Sequence, residues 1–170
     1  HLSAIGADVD GASAYARSKG LGEDGILASM PEAVILRPSV IFGPEDAFFN
    51  RFGAMSRFAP VIPLFGAETR FQPVYVDDVA KAAAKGAAGE VSAGIYELGG
   101  PDVATFRELM QEMLGVVRRR RLVVGFPLWA GRIAGRVFGV LSALTGGLAP
   151  SPITYHHALQ LSSDNTVNNG

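Results

Sequence analysis

An α/β fold with parallel strands is predicted by three features of the 170-residue chain. Short apolar runs alternate with stretches of helical pattern along the sequence. The clearest run, Ala33-Val34-Ile35-Leu36, is continuous rather than alternating, as expected of a parallel strand covered on both faces. Pro and Gly close the run in Arg37-Pro38-Ser39-Val40-Ile41-Phe42-Gly43-Pro44 and mark a loop after the strand.

The elements follow in order. Residues 1–10 read as the end of a buried strand and a loop. Ser13 to about Ser29 is Ala-rich, with Lys19, Glu23 and Asp24 spaced for a solvated helix face, and Pro31 ends it. The strand over 33–36 comes next, then a helix with an aromatic face over 47–58. Two prolines and a glycine make 59–70 an irregular loop. Phe71 to Val76 reads as a short extended segment. Asp77 or Asp78 is the expected N-cap of a helix running through Ala88. Gly94 to Leu98 reads as a strand closed by Gly99-Gly100-Pro101. Thr105 caps a helix over 106–116, and Glu108 completes a capping box. Trp129, Ile133, Val137, Val140, Leu141 and Leu144 keep helical spacing over 127–145, with Arg132 and Arg136 beside them.

Composition bounds the function. Apolar residues make up 48% and charged residues 18% of the chain, which is globular and not disordered. A net charge of −1 gives no overall pull toward a polyanion. Cys is absent, so disulfides, thiolate metal sites and Cys nucleophiles are excluded, and a reducing cytoplasmic setting fits. The start, HLSAIGADVDGASAY, has neither an initiator Met nor a basic region followed by an apolar run. The chain is therefore expected to open inside a longer protein. Charge is uneven: no Asp or Glu lies between Met113 and Ser163, where Arg118 to Arg121, Arg132 and Arg136 all fall.

Chemistry concentrates in Tyr15-Ala16-Arg17-Ser18-Lys19. Positions i and i+4 share one helix face. An ammonium near a phenol favours the phenolate, which suits a general acid/base for alcohol–carbonyl interconversion. The Lys can also bond a ribose hydroxyl. Taken alone, such a pair is more often a solvated helix face.

The order of blocks adds context. Ser3 precedes Tyr15 by twelve residues; AVILRPSVIFGP, FQPVYVDDVAKA and GIYELGGPD follow. This order resembles the extended or atypical short-chain dehydrogenases/reductases of the epimerase/dehydratase kind, over nearly the whole chain. The resemblance implies the C-terminal part of a Rossmann-like, doubly wound parallel sheet with a small, mostly helical C-terminal subdomain. It implies a dinucleotide-binding half over 1–100 and a basic helical subdomain over 101–170. It implies that Ser3 bonds a substrate oxygen, that Tyr15 and Lys19 are the catalytic pair and hold the nicotinamide ribose, and that Pro38, Ser39 and Val40 face the nicotinamide. Gln72 to Asp78 would close over the site, although capping alone explains Asp77 and Asp78. The phosphate-binding fingerprint G-x-x-G-x-x-G is nowhere in the chain, so the adenosine half is expected in sequence outside it. The cofactor is NAD or NADP.

A narrower resemblance rests on SAIGAD, S-x-Y-x-R-S-K, RPSVIFGPEDAFFNRFGAMSRF and the closing LSSDNTVN. These are similar to the NAD(P)-binding accessory subunit of respiratory complex I and its bacterial relatives. That resemblance implies an accessory or assembly role in which the dinucleotide is structural; the alternative is an epimerase, dehydratase or reductase working through Tyr15 and Lys19. The basic C-terminal third is then expected to meet a membrane surface or respiratory-complex subunits, peripheral on the inner face of the cytoplasmic membrane. A core-packing helix is the competing expectation for 127–145. The Arg cluster lacks interleaved aromatics, so nucleic acid is not expected. His156-His157 has no third ligand near in sequence, so no metal is expected.

Overall fold

The computed structural model describes residues 1–127, 129–130 and 163–168. The chain divides into two compact units that interleave in sequence: His1–Asn50, Arg70–Ala104 and Asn165–Gly170 form the first, and Arg51–Thr69 with Thr105–Asp164 form the second.

In the first unit, helix α1 (Ala14–Ser29) leads into strand β1 (Val34–Pro38). The Ser13 side chain caps α1 by accepting from the Ala16 N–H, and Pro31 follows the end. Close packing of the 8–9 backbone against the middle of α1 needs Gly20, where a Cβ would stand 2.5 Å from the Val9 nitrogen. The segment before α1 lies along β1: Leu2 bridges Leu36 in parallel, and the Ser3 N–H donates to the Leu36 carbonyl at 2.7 Å. This is the strand-then-helix crossover that parallel pairing demands. Beyond β1 come β2 (Ile41–Phe42) and, after the second-unit segment, β4 (Arg70–Phe71), β5 (Val74–Tyr75), α3 (Val76–Ala87) and β6 (Gly94–Leu98). β6 pairs parallel with β1 in the register Val34↔Gly94 to Pro38↔Leu98, and β2 pairs parallel with β5. Ile35, Leu36, Val74 and Val79 are buried here, each such side chain contributing about 1.5–3 kcal/mol if fully removed from water.

The second unit takes most of α2 (Phe49–Met55), then β3 (Val61–Phe65). After β7 (Ala104–Thr105) come α4 (Phe106–Val116) and β8 (Leu122–Phe126). β3 pairs parallel with β8, and Ile62, Leu64, Phe106 and Met110 form the core.

Most expected elements stand within a residue or two of their predicted bounds. The exceptions have physical causes. β3 occupies a stretch expected to be irregular because Pro60 and Pro63 obscure the alternation that buries Ile62 and Leu64. Pro63 is tolerated because, among the described residues, β3 pairs only with β8 and so leaves one edge unpaired. β8 was hidden behind the Arg run. α2 is shorter than 47–58. Tyr75, not an Asp, is the N-cap of α3, and no side chain caps it; Asp77 and Asp78 sit in its first turn, where negative charge suits the helix N-terminus. Of the helix expected over 127–145, residues 131–145 with Arg132 and Arg136 lie outside the described residues, as does His156-His157.

Thr105 accepts from the Glu108 N–H while the Glu108 carboxylate reaches back to the Thr105 N–H at 2.7 Å. Thr105→Ala is expected to lower stability by about 1 kcal/mol, read as a shift in urea midpoint without a change in slope. A shift indistinguishable from zero would show that the box is dispensable.

The Arg cluster is only partly a surface. Arg119 donates to the Gly53 carbonyl at 2.6 Å and to the Ser56 hydroxyl at 2.8 Å, and Arg121 donates to the Ser56 carbonyl at 2.8 Å. Both guanidinium groups satisfy carbonyls at the C-terminal end of α2, which the helix itself leaves unpaired. Arg118 and Arg120 are exposed. Among the described residues, no helix is long and apolar enough to cross a membrane.

Candidate functional site

The Tyr15/Lys19 pair lies on the first two turns of α1, as its spacing predicts. Tyr15 is 45% exposed, and the Lys19 ammonium stands 5.8 Å from the centre of its ring. That is cation–π geometry over the ring face. The expected effect of the ammonium on the phenol is not what this arrangement produces: partial burial pushes the Tyr15 pKa up from its ordinary value. The pair therefore holds a protonated phenol and an ammonium side by side. Both can donate hydrogen bonds, as a ribose diol requires.

Ser3 is buried, and its hydroxyl donates to Glu23 Oε1 at 2.5 Å. The same carboxylate takes two bonds from Arg37, from Nε at 2.8 Å and from Nη2 at 2.5 Å. Burial alone would raise the Glu23 pKa, but the hydrogen bonds from Arg37 and Ser3 and the Arg37 charge outweigh it and hold the carboxyl below its ordinary value. The Arg37 pKa is raised by the same hydrogen bond. Sequence reasoning put Glu23 on a solvated face; the signal it missed was Arg37, a charged residue inside a buried apolar strand. The Ser3 hydroxyl is thus engaged inside the fold, beneath the tyrosine helix.

Pro38, Ser39 and Val40 stand where β1 ends. The Pro38 carbonyl accepts from the Ile5 N–H at 3.0 Å, the Ser39 N–H donates to the Leu98 carbonyl at 2.8 Å, and the Val40 carbonyl accepts from the Val74 N–H at 2.9 Å. The Ser39 hydroxyl donates to Asn165 Oδ1 at 2.6 Å, and the Val40 N–H donates to the same atom at 3.0 Å. The loop is a braced wall at the C-terminal edge of the sheet, which is where open α/β sheets bind ligands. Its N–H groups are used within the unit, so its remaining capacity lies in carbonyl lone pairs and apolar surface. Gln72 belongs to the same edge: its side chain donates to the Gly100 carbonyl at 2.7 Å and accepts from the Val167 N–H at 3.1 Å. Asp78 instead pairs with Lys81 at the surface, at 2.9 Å.

Comparison with solved structures gives the class of fold. The dTDP-glucose 4,6-dehydratase from Bacillus anthracis, solved in complex with NAD, superposes with a TM-score of 0.60 at 16% identity, covering 74% of this chain and 48% of that one. RMD from Pseudomonas aeruginosa, complexed with NADPH, superposes at 0.57 with 15% identity, covering 73% of this chain and 53% of that one. The architecture is thus a Rossmann-type α/β fold. No family model matches the chain. Sequence comparison is more particular. The chain is 39% identical over 144 residues to the mitochondrial NADH dehydrogenase [ubiquinone] 1 alpha subcomplex subunit 9 of Arabidopsis thaliana, and 34% identical over 143 residues to that of Mus musculus. Each alignment covers 82% of this chain, but only 36% and 38% of the respective relatives. In sequence, this chain is similar to these two alpha subcomplex subunit 9 proteins and spans little more than a third of their length.

Proposed function

We propose that the chain forms the nicotinamide end of a dinucleotide-binding accessory subunit associated with respiratory NADH dehydrogenase, in which bound NAD or NADP supports the fold and is not turned over. The sequence relationship to subunit 9, over 82% of the chain, carries this reading. The residues fit the nicotinamide half of a dinucleotide. Tyr15 and Lys19 offer two adjacent donors to a ribose, and the Pro38–Val40 wall offers a fixed surface to a planar ring. The G-x-x-G-x-x-G fingerprint does not occur in the sequence, so pyrophosphate and adenosine would be held by chain outside these residues. A phenol pKa above its ordinary value suits a group that donates a hydrogen bond better than one that must give up its proton near neutral pH. The subunit would sit peripherally beside its complex, with Arg118 and Arg120 as the exposed cations nearest in chain to α4.

Purification of the full-length protein in excess salt tests this. NAD(H) or NADP(H) is expected to co-purify in about equimolar amount, with no turnover of carbonyl substrates. Lys19→Ala is expected to weaken retention at least about tenfold, which is about 1.4 kcal/mol. Steady turnover that Tyr15→Phe abolishes would replace the accessory reading with a reductase or epimerase. Absence of any nucleotide binding would end both.

A further inference from the structure

We propose that Asn165 is a positioning residue for the nicotinamide wall, so that the closing segment of the chain governs dinucleotide binding from 126 residues away. The inference rests on the dinucleotide reading above and goes beyond it, because the closing LSSDNTVN carried only a resemblance and gave Asn165 no role. Its side-chain oxygen accepts from two donors on the wall, the Ser39 hydroxyl and the Val40 N–H. Its backbone is tied just as firmly. The Asn165 N–H donates to the Arg70 carbonyl at 2.8 Å, and its carbonyl accepts from the Gln72 N–H at 3.1 Å and lies 2.8 Å from the Ser39 hydroxyl oxygen, whose single proton it shares with Oδ1. Phe71 and Asn165 form a parallel bridge. Two residues on, the Val167 N–H is held by the Gln72 side chain, and the Asn168 N–H donates to Glu97 at 2.8 Å. Residues 165–168 are thus strapped across the ends of β1, β4 and β6.

The consequence for binding is specific. Ser39 is buried, and among the described residues the Val40 N–H has no acceptor but Asn165 Oδ1. Removing the Asn165 oxygen leaves a donor unsatisfied at the turn that follows β1, and the turn relieves this only by moving. A shift of the wall alters the surface that the nicotinamide ring would meet. It leaves untouched the Tyr15/Lys19 pair and any adenosine site elsewhere.

Three probes applied to the full-length protein decide the matter: NADH, NADPH and 5′-ADP. Asn165→Leu is expected to weaken binding of the reduced dinucleotides about tenfold, about 1.4 kcal/mol, while 5′-ADP affinity stays the same. Asn165→Asp, which keeps the acceptor, is expected to bind near the wild-type level. Ser39→Ala, which keeps the Val40 bond, is expected to lose less. Hydrogen exchange at the Val40 amide should rise in Asn165→Leu, and should not in Asn165→Asp. If the Leu variant does not fold, Asn165→Ser, too short to reach Val40, takes its place. Equal losses for all three probes would reduce Asn165 to a general stabiliser and overturn the proposal. Unchanged or tighter dinucleotide binding would overturn it too, the latter by showing that the Asn amide competes for the wall. A wild-type protein that binds none of the probes would sink the dinucleotide reading itself, and this inference with it. Binding by wild type with no change in the variant would sink this inference alone.

Discussion

Glu23→Ala is expected to destabilise the protein by about 3–5 kcal/mol, the cost of removing one partner from a buried ion pair. Glu23 is 3% exposed and receives all three donors available to it, two from Arg37 and one from Ser3. The Arg37 side chain is 22% exposed and lies in β1 between buried Leu36 and Pro38, so it cannot swing far to find water. Without the carboxylate, a half-buried guanidinium and a buried hydroxyl are left without their shared acceptor. For a chain of this size, the melting temperature would fall by roughly 10 °C. Glu23→Gln, which keeps the shape and one acceptor, should cost less. A drop below about 2 °C for the Ala variant would show that water replaces the carboxylate. The pair also fixes the sign of a pH effect. The folded Glu23 pKa is depressed, so its contribution is fully present above the ordinary carboxylate range and is lost as pH falls through the folded value. Acid unfolding below about pH 4 should therefore be shallower in Glu23→Ala than in the wild type.

This network shows what sequence could and could not supply. The strand over 34–38 was legible from an unbroken apolar run, and the cap at Thr105 from two residues at a fixed offset. Both are local signals. Glu23 looked like solvated helix surface because its partner is 14 residues away, across a turn and on a strand. Asn165 is more distant still from Ser39, and it sits in a polar, turn-like tail that offers no periodicity. Tyr15 and Lys19 lie side by side on α1, as their helical spacing predicts. The effect of the ammonium was misjudged, since spacing fixes the face but not whether the nitrogen meets the ring or the oxygen. Pro63 and the Arg run concealed β3 and β8 for the same reason: pairing partners, not composition, decide such strands.

Gly100→Ala should produce the second large effect, and its size follows from where the backbone passes. A Cβ at Gly100 would stand 2.0 Å from the Pro73 carbonyl oxygen and 3.2 Å from its carbon. Neither Gly99 nor Gly100 has positive φ, so the demand for glycine here is steric and not conformational. The obstacle is backbone, which cannot rotate aside, and Gly100 is fastened to the same segment by its N–H to the Gln72 carbonyl at 3.3 Å. Relief requires β6 and the 72–74 segment to part. A loss of about 2–3 kcal/mol is expected, at the upper end for inserting one methyl into a packed site. Gly99→Ala makes the informative contrast. Its Cβ would meet the Gln72 amide, 2.5 Å from Cδ, and a side-chain amide can turn away. Gly99→Ala should therefore cost less stability, yet it displaces the group that holds the Val167 N–H. In urea titrations Gly100→Ala should shift the midpoint more. In NADPH titrations of the full-length protein, Gly99→Ala should weaken binding by more than its loss of stability accounts for. If both variants lost stability and affinity in the same proportion, the Gln72 strap would be part of the general packing and not a device for placing the wall.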